Sequence, residues 1–333
     1  MKKYLLSFLV FCLTATLFAQ EAEPTPSPWS CTGVVGLNAS ATGLVNWAAG
    51  GNNNVNGVAF GKVRLLYNEN NLSWETNLNL EYGLSYIDQK NDPFQKSSDV
   101  IDFKTKFGWQ FHKAWYLTAA AGFQSQLAYG RAYDGTEADD PIISKFLSPS
   151  YTDISVGIDW KPNSIFSLYL SPVAGKITTA YVGDAVEKAN PGLREQMQEK
   201  YGTWAYVKDS DEKKYTNCKA ELGLNFKGSI NYTYKDLKII TSLGLFTPYA
   251  WDKTEVLDAE GKFVGYRDNN RRFGNFDVDW DAAISYQFLK CLNVTLSTSL
   301  KYYNGVKIAD KDGISAERVQ FKGILGLGVG YSF

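Results

Sequence analysis

Residues 72–86 read Leu72-Ser73-Trp74-Glu75-Thr76-Asn77-Leu78-Asn79-Leu80-Glu81-Tyr82-Gly83-Leu84-Ser85-Tyr86. Leu, Trp, Thr and Tyr take the even positions, and Ser, Glu, Asn and Gly take the odd ones. Period two is the side-chain period of an extended strand, so one face of this segment is greasy and the other wet. Its length exceeds the roughly nine to eleven residues with which a tilted strand crosses a bilayer. Such a strand has two edges of unpaired backbone groups, and in hydrocarbon only a closed barrel satisfies both.

The same alternation recurs outward from this segment in both directions. It predicts strands near 33–45, 55–67, 72–88, 99–111, 115–131, 151–160, 164–179, 216–234, 237–250, 273–288, 292–303 and 317–333. The fold expected is therefore all-β, an antiparallel transmembrane barrel of about twelve strands. The connections alternate between short and long. Short turns fall at 68–71, 112–114, 161–163, 235–236 and 289–291; long segments fall at 46–54, 89–98, 132–150, 180–215, 251–272 and 304–316. Short periplasmic turns opposite long extracellular loops are the asymmetry of an outer-membrane barrel, and an even strand count puts both ends on the periplasmic side. A soluble sandwich has no reason to segregate its loops by length. Aromatics gather where the interfaces fall: Trp74, Trp109, Trp115, Trp160, Tyr232, Tyr234, Phe288, Tyr331 and Phe333 at the periplasmic ends, and Tyr86, Tyr129, Tyr249, Trp251 and Tyr302 at the outer ends.

The amino-terminal residues Met1-Lys2-Lys3, the apolar run Tyr4–Phe18 and the following Ala19-Gln20-Glu21 have the layout of a secretory signal peptide, residues 1–20, despite a bulky Leu17 at the −3 position. Cys12 lies inside the apolar run without the small neighbour a lipoprotein signal needs. Residues 21–32, with Pro24, Pro26 and Pro28, are expected to form an irregular periplasmic leader, and 33–333 the barrel. Past Phe18 no apolar run reaches the ~18 residues of a spanning helix. The net charge of −1 gives no field that would recruit nucleic acid. Three cysteines remain after the signal, Cys31, Cys218 and Cys291; an odd count leaves at least one thiol unpaired. They are either small half-buried residues or, for Cys31 and Cys291, a bridge at one rim. No cofactor is expected, and no Cys or His pattern suggests a metal site.

The inward face is the functional surface. Lys62, Arg64, Lys104, Lys106, Lys227, Lys238, Lys301, Arg318 and Lys322 there oppose Glu75, Glu81, Asp102, Asp153, Asp159, Glu221, Asp277, Asp279 and Asp281. Twelve strands make a backbone cylinder ~24 Å across, leaving ~10 Å before long side chains cross it. That is a narrow passage or a filled one. Asp277, Asp279 and Asp281 line one strand without a chelating loop, and are expected to pair with Lys301, Arg318 and Lys322. If opposite charges segregate to opposite walls instead, a transverse field results. In the segment 180–215, Asn190-Pro191 marks the start of a short helix running to Lys200, with Asn as its cap. It could constrict the mouth, cover it, or stand free.

Asn46-Trp47-Ala48-Ala49-Gly50-Gly51, set before further alternating strands and an aromatic carboxy-terminus, resembles an early Asn-Trp-x-x-Gly-Gly motif of a Bacteroidota outer-membrane family known only as a domain of unknown function. That resemblance implies fold and location and carries over no substrate. Val329, Tyr331 and Phe333 at the end are similar to the assembly signal of outer-membrane barrels, which implies outer-membrane lipid and the barrel-assembly machinery as partners. The expected activity is a narrow channel for small polar solutes, or else a non-conducting structural or partner-binding barrel of an envelope assembly. Catalysis is not expected. The single histidine, His112, falls in a periplasmic turn, far from any outer-rim serine that it could activate.

Overall fold

The structure, a computed structural model, describes residues 27–42, 54–87, 93–131, 142–206, 212–249, 253–257, 262–268, 273–289, 292–304, 306–309 and 315–332. Twelve strands close into one antiparallel barrel. In chain order they are β1 (Trp29–Thr42), β2 (Asn54–Glu69), β3 (Leu72–Ile87), β4 (Phe94–His112), β5 (Trp115–Ser125), β6 (Ser150–Trp160), β7 (Phe166–Thr179), β8 (Cys218–Tyr234), β9 (Leu237–Pro248), β10 (Asp277–Leu289), β11 (Leu292–Tyr302) and β12 (Gln320–Ser332). Each strand pairs with its neighbours in sequence, and β12 returns to β1 with Val34 opposite Ser332 through Ala39 opposite Leu327. Closure leaves no edge strand. The tight turns β2–β3, β4–β5, β6–β7, β8–β9 and β10–β11 all lie at one end, called the turn end below, together with the start of β1 and the end of β12. The strand ends that the longer connections join lie at the other, the loop end.

The molecule is built inside out. On β3, Leu72, Trp74, Tyr82, Leu84 and Tyr86 are all exposed, whereas Glu75, Asn77, Asn79 and Glu81 are half-buried and Gly83 is buried. The same holds around the wall: Leu37, Leu117, Ile154, Val156, Val173, Leu222, Leu325 and Val329 point out, while Thr118, Ser155, Asp159 and Ser171 are among the most buried side chains. A continuous exposed apolar surface is a patch far larger than water tolerates, so this wall is made for lipid. Neither helix among the described residues is long and apolar enough to cross a membrane; the crossing elements are strands. Aromatic rings meet near both ends, Trp29 with Tyr67 and Trp74 at 5.0 and 5.8 Å and Trp115 with Trp160 at 6.1 Å at the turn end, Tyr86 with Phe94 at 5.2 Å at the loop end.

The expected strand positions hold to within a few residues, with two informative departures. β1 begins at Trp29, inside the segment expected to be irregular, because Trp29 to Thr32 find partners in Tyr67 to Arg64 and the Trp29 ring joins the aromatic cluster. β5 ends at Ser125 instead of 131, where the Ser125 hydroxyl donates to the Pro149 carbonyl and accepts from the Leu147 N–H. The chain leaves the wall there to cover the loop end. One backbone irregularity matters later: β6 and β7 shift register between Val156 and Ile158. Gly157 sits in that shift so close to the Leu170 carbonyl and the Ser171 backbone that a Cβ would collide with both.

Candidate functional site

Register carries the inward face from strand to strand. Lys62 opposes Asn79 and Asn79 opposes Asp102; Arg64 opposes Asn77, which opposes Lys104; Glu75 opposes both Leu66 and Lys106; and Glu81 opposes Val100. Asp153 opposes Lys176, which opposes Glu221, while Asp159 opposes Tyr169, which opposes Lys227. Across β9 to β12, Lys227 leads through Gly244 and Asp279 to Lys301, Lys238 faces Ser285, and Asp281 leads through Ser299 to Lys322. Arg318 precedes β12 and donates to the Ile308 carbonyl at 3.3 Å.

Within this face the structure brings some of the anticipated charges together. Arg64 Nε reaches Glu75 at 2.8 Å, Lys104 reaches Asp102 at 2.7 Å, and Glu81 accepts from the Ser98 hydroxyl at 2.5 Å. Lys219 stands 3.9 Å from Glu221. Asp159 is fully buried; its carboxylate takes Lys106 at 2.5 Å, Lys161 at 3.2 Å and the Ser167 hydroxyl at 2.8 Å. The Lys106 ammonium also sits 4.8 Å from the Tyr169 ring centre, and Tyr169 donates to Ser155. The three aspartates of β10 do not act as one row. Asp279 takes its expected partner Lys301 at 3.3 Å, but Asp277 binds Lys176 at 2.6 Å, and Asp281 and Lys322 form no hydrogen bond or ion pair among the described residues. Among the described residues no group of acids, cysteines and histidine is arranged to hold a metal ion.

Lys176 is the residue that alternation alone misplaces. Leu168 and Leu170 of β7 face out, so counting by twos would send Lys176 out as well. The register shift opposite Gly157 flips the parity after Ser171, so that Val173 faces out and Ala174 and Lys176 face in. Its ammonium then lies 2.6 Å from Asp277 Oδ2 and 4.7, 5.6 and 5.7 Å from the ring centres of Tyr303, Phe246 and Tyr151. Tyr303 donates to Asp279 at 2.6 Å, and the Asn304 N–H donates to Asp277 at 2.9 Å. β7 and β10 are separated by β8 and β9 in the wall, so a direct contact between them passes through the bore. Aromatic faces stabilise an ammonium and the carboxylate neutralises it, which makes this a cross-bore brace near the loop end.

Above the brace the segment 180–206 folds over the loop end as two helices, α1 (Asp184–Ala189) and α2 (Leu193–Lys200). The helix expected from Asn190-Pro191 starts two residues later: Asn190 instead ends α1, and Gly192, at φ 84°, begins α2. Two carboxylate oxygens of Glu187 accept the Gly192 and Arg194 N–H groups at 2.8 and 2.7 Å, doing the work assigned to the Asn cap. The helix does not stand free. Leu193 and Met197 pack into a small buried cluster with Ile142, Ala180 and Val182, and the Tyr201 hydroxyl and Lys200 ammonium donate to the Ile143 carbonyl at 2.9 and 3.3 Å. Lys145 donates to the Tyr181 carbonyl at 2.8 Å. Burial pushes the Tyr201 phenol up and the Lys145 and Lys200 ammonium groups down from their ordinary values.

Solvent still reaches much of the inward face. Arg64, Asp279 and Lys104 side chains keep 46, 42 and 40% of their exposure, and Lys62 and Lys322 are exposed. The thiols of Cys31 and Cys218 are free and exposed, with Cys31 turned outward opposite Leu65. Cys291, the signal segment 1–20, the motif Asn46–Gly51, Trp251 and Phe333 lie outside the described residues, and of Tyr331 only the backbone is described.

A family model described as "Protein of unknown function (DUF3078)" matches residues 39–130. No curated protein matches the chain. Among solved structures it is similar to an outer membrane channel from Pseudomonas putida F1, at 12% identity and TM-score 0.38 over 94% of this chain and 99% of that one. It is also similar to the translocator domain of autotransporter NalP from Neisseria meningitidis, at 10% identity and TM-score 0.34 over 100% and 96%. Outer membrane phospholipase A from Escherichia coli gives 12% identity and TM-score 0.32 over 94% and 95%.

Proposed function

We propose that this chain is an outer-membrane β-barrel that passes small polar solutes through a narrow aqueous bore constricted at the loop end by the Lys176 brace. The observation that carries this reading is the solvent exposure of charged side chains halfway down the inward face, Lys104 and Arg64 above all. A charge deep in the wall of a dry barrel would be desolvated at large cost, whereas these side chains stay open to solvent. The apolar outer wall supports a lipid setting, and the closed antiparallel topology with segregated loops supports the outer membrane, with the turn end periplasmic and the loop end outside. Residues 1–20 then serve export, and the closing strand with Val329 and Tyr331, followed by Phe333, serves recognition by the assembly machinery.

Full-length mature protein, purified in detergent and added to a planar bilayer, is expected to give discrete single-channel steps. Lys176→Ala removes the brace and should raise the step size, with the barrel's heat-modifiable migration retained. A folded protein that stays silent at high salt, with and without Lys176→Ala, overturns the reading. The contact of Lys176 with Asp277 favours one alternative by itself, a non-conducting barrel whose loop end is locked, and that silence is what it entails.

A further inference from the structure

Resting on the channel reading, we infer that the bore selects small anions, through lysines that close no ion pair with the wall. Most inward carboxylates are engaged at short range: Glu75 by Arg64, Asp102 by Lys104, Asp159 by Lys106 and Lys161, Asp277 by Lys176 and Asp279 by Lys301. A pair closed at hydrogen-bond distance presents a dipole to a passing ion, and its field falls off faster than that of a lone charge. The field in the bore is therefore set by the groups that remain alone.

Among the described residues, Lys62, Lys227, Lys238 and Lys322 of the inward face make no hydrogen bond or ion pair, and Lys62 touches only the Phe60 ring, at 5.8 Å. The inward carboxylates in the same condition are Asp153 and Asp281, and Glu81 is held by the uncharged Ser98 hydroxyl. Asp153 is folded back against the wall over Gly122, where a Cβ would collide with its carboxylate, and from there it acts on Lys227, Lys104 and Lys176 at longer range. The four lysines are spread along the axis. Lys322 stands near the loop end of β12, Lys62 and Lys227 stand midway along β2 and β8, and Lys238 stands at the turn end of β9. Lys227 feels Lys104 and Lys106 and, with opposite sign, Asp153 and Asp102, none of which closes a pair with it. A ladder of single positive charges that begins near one mouth and ends at the other draws anions in and hands them on without a deep trap. The ligand class is a small inorganic anion or short carboxylate, whose charge matches a lysine.

The test is the reversal potential of the purified full-length mature protein in a planar bilayer under a potassium chloride gradient. Chloride is expected to permeate several-fold better than potassium. Lys62→Glu and Lys227→Glu should each lower that ratio, and the two together should bring it below one; Lys62→Gln and Lys227→Gln give the same direction should the acidic variants not fold. Conductance with a ratio at or below one in the unmodified protein overturns the inference and leaves the channel reading standing. A ratio above one that none of the lysine variants moves also overturns it. The absence of any conductance overturns the channel reading itself.

Discussion

The barrel has two unlike walls, and the contrast shows how one sheet can hold itself together and stay wet. The β5–β7 wall is packed: Thr118, Ser155, Asp159, Tyr169, Ser171 and Ala174 are all buried, the Asp159 carboxylate is shared by two lysines, and the Ser171 hydroxyl donates to the Val156 and Val173 carbonyls. Across the bore, the β12–β1–β2 wall carries Lys322, Lys62 and Arg64 in contact with solvent. Buried charge demands a partner and exposed charge does not. The first wall therefore supplies rigidity, and the second supplies the surface a solute would meet.

The contrast breaks first at Asp159. Asp159→Ala strands the Lys106 and Lys161 ammonium groups beside a vacated buried site, and is expected to cost about 3 kcal/mol, read as a lower urea midpoint of the refolded barrel in detergent. A shift within measurement error would mean that water already solvates that wall. Next comes Gly157→Ala. The added methyl meets the Leu170 carbonyl and the Ser171 backbone, and forcing β7 away should cost roughly 1–3 kcal/mol in the same assay. Because the same shift aims Lys176 inward, this variant should also change the conductance step if it folds. The smallest effect belongs to the open wall. Arg64→Ala removes an ion pair whose partners are 46 and 30% exposed, and is expected to change stability by less than about 1 kcal/mol. A loss as large as that of Asp159→Ala would erase the distinction between the walls.

The fold was legible because alternation is local: Leu72 to Tyr86 states its two faces without reference to any other segment, and so do most of the strands. Parity along each strand assigns most of the inward face, but it fails on β7 past Ser171, where the register shift turns Lys176 inward. Partner choice was not legible. Spacing along β10 points Asp277 to Lys301, Arg318 or Lys322, yet it meets Lys176 from β7, a residue that counting by twos sends toward the lipid. The helix cap failed in the same way. Asn190-Pro191 is a strong local start signal, but Glu187 reaches across the bend between the helices and supplies the acceptors instead.

By itself the sequence determined a chain whose greasy and wet side chains alternate in strand after strand, with short and long connections in strict rotation, and hence a closed wall in lipid. Alternation needs only the two-residue repeat of extended backbone, which each segment carries alone. Tertiary structure decided which charges are neutralised and which stand alone in the bore. For Lys176 that outcome depends on the register shift at Gly157, and for Lys176 with Asp277 and Lys106 with Asp159 on side chains meeting across strands that are not neighbours, and distance between such strands is written in no one of them.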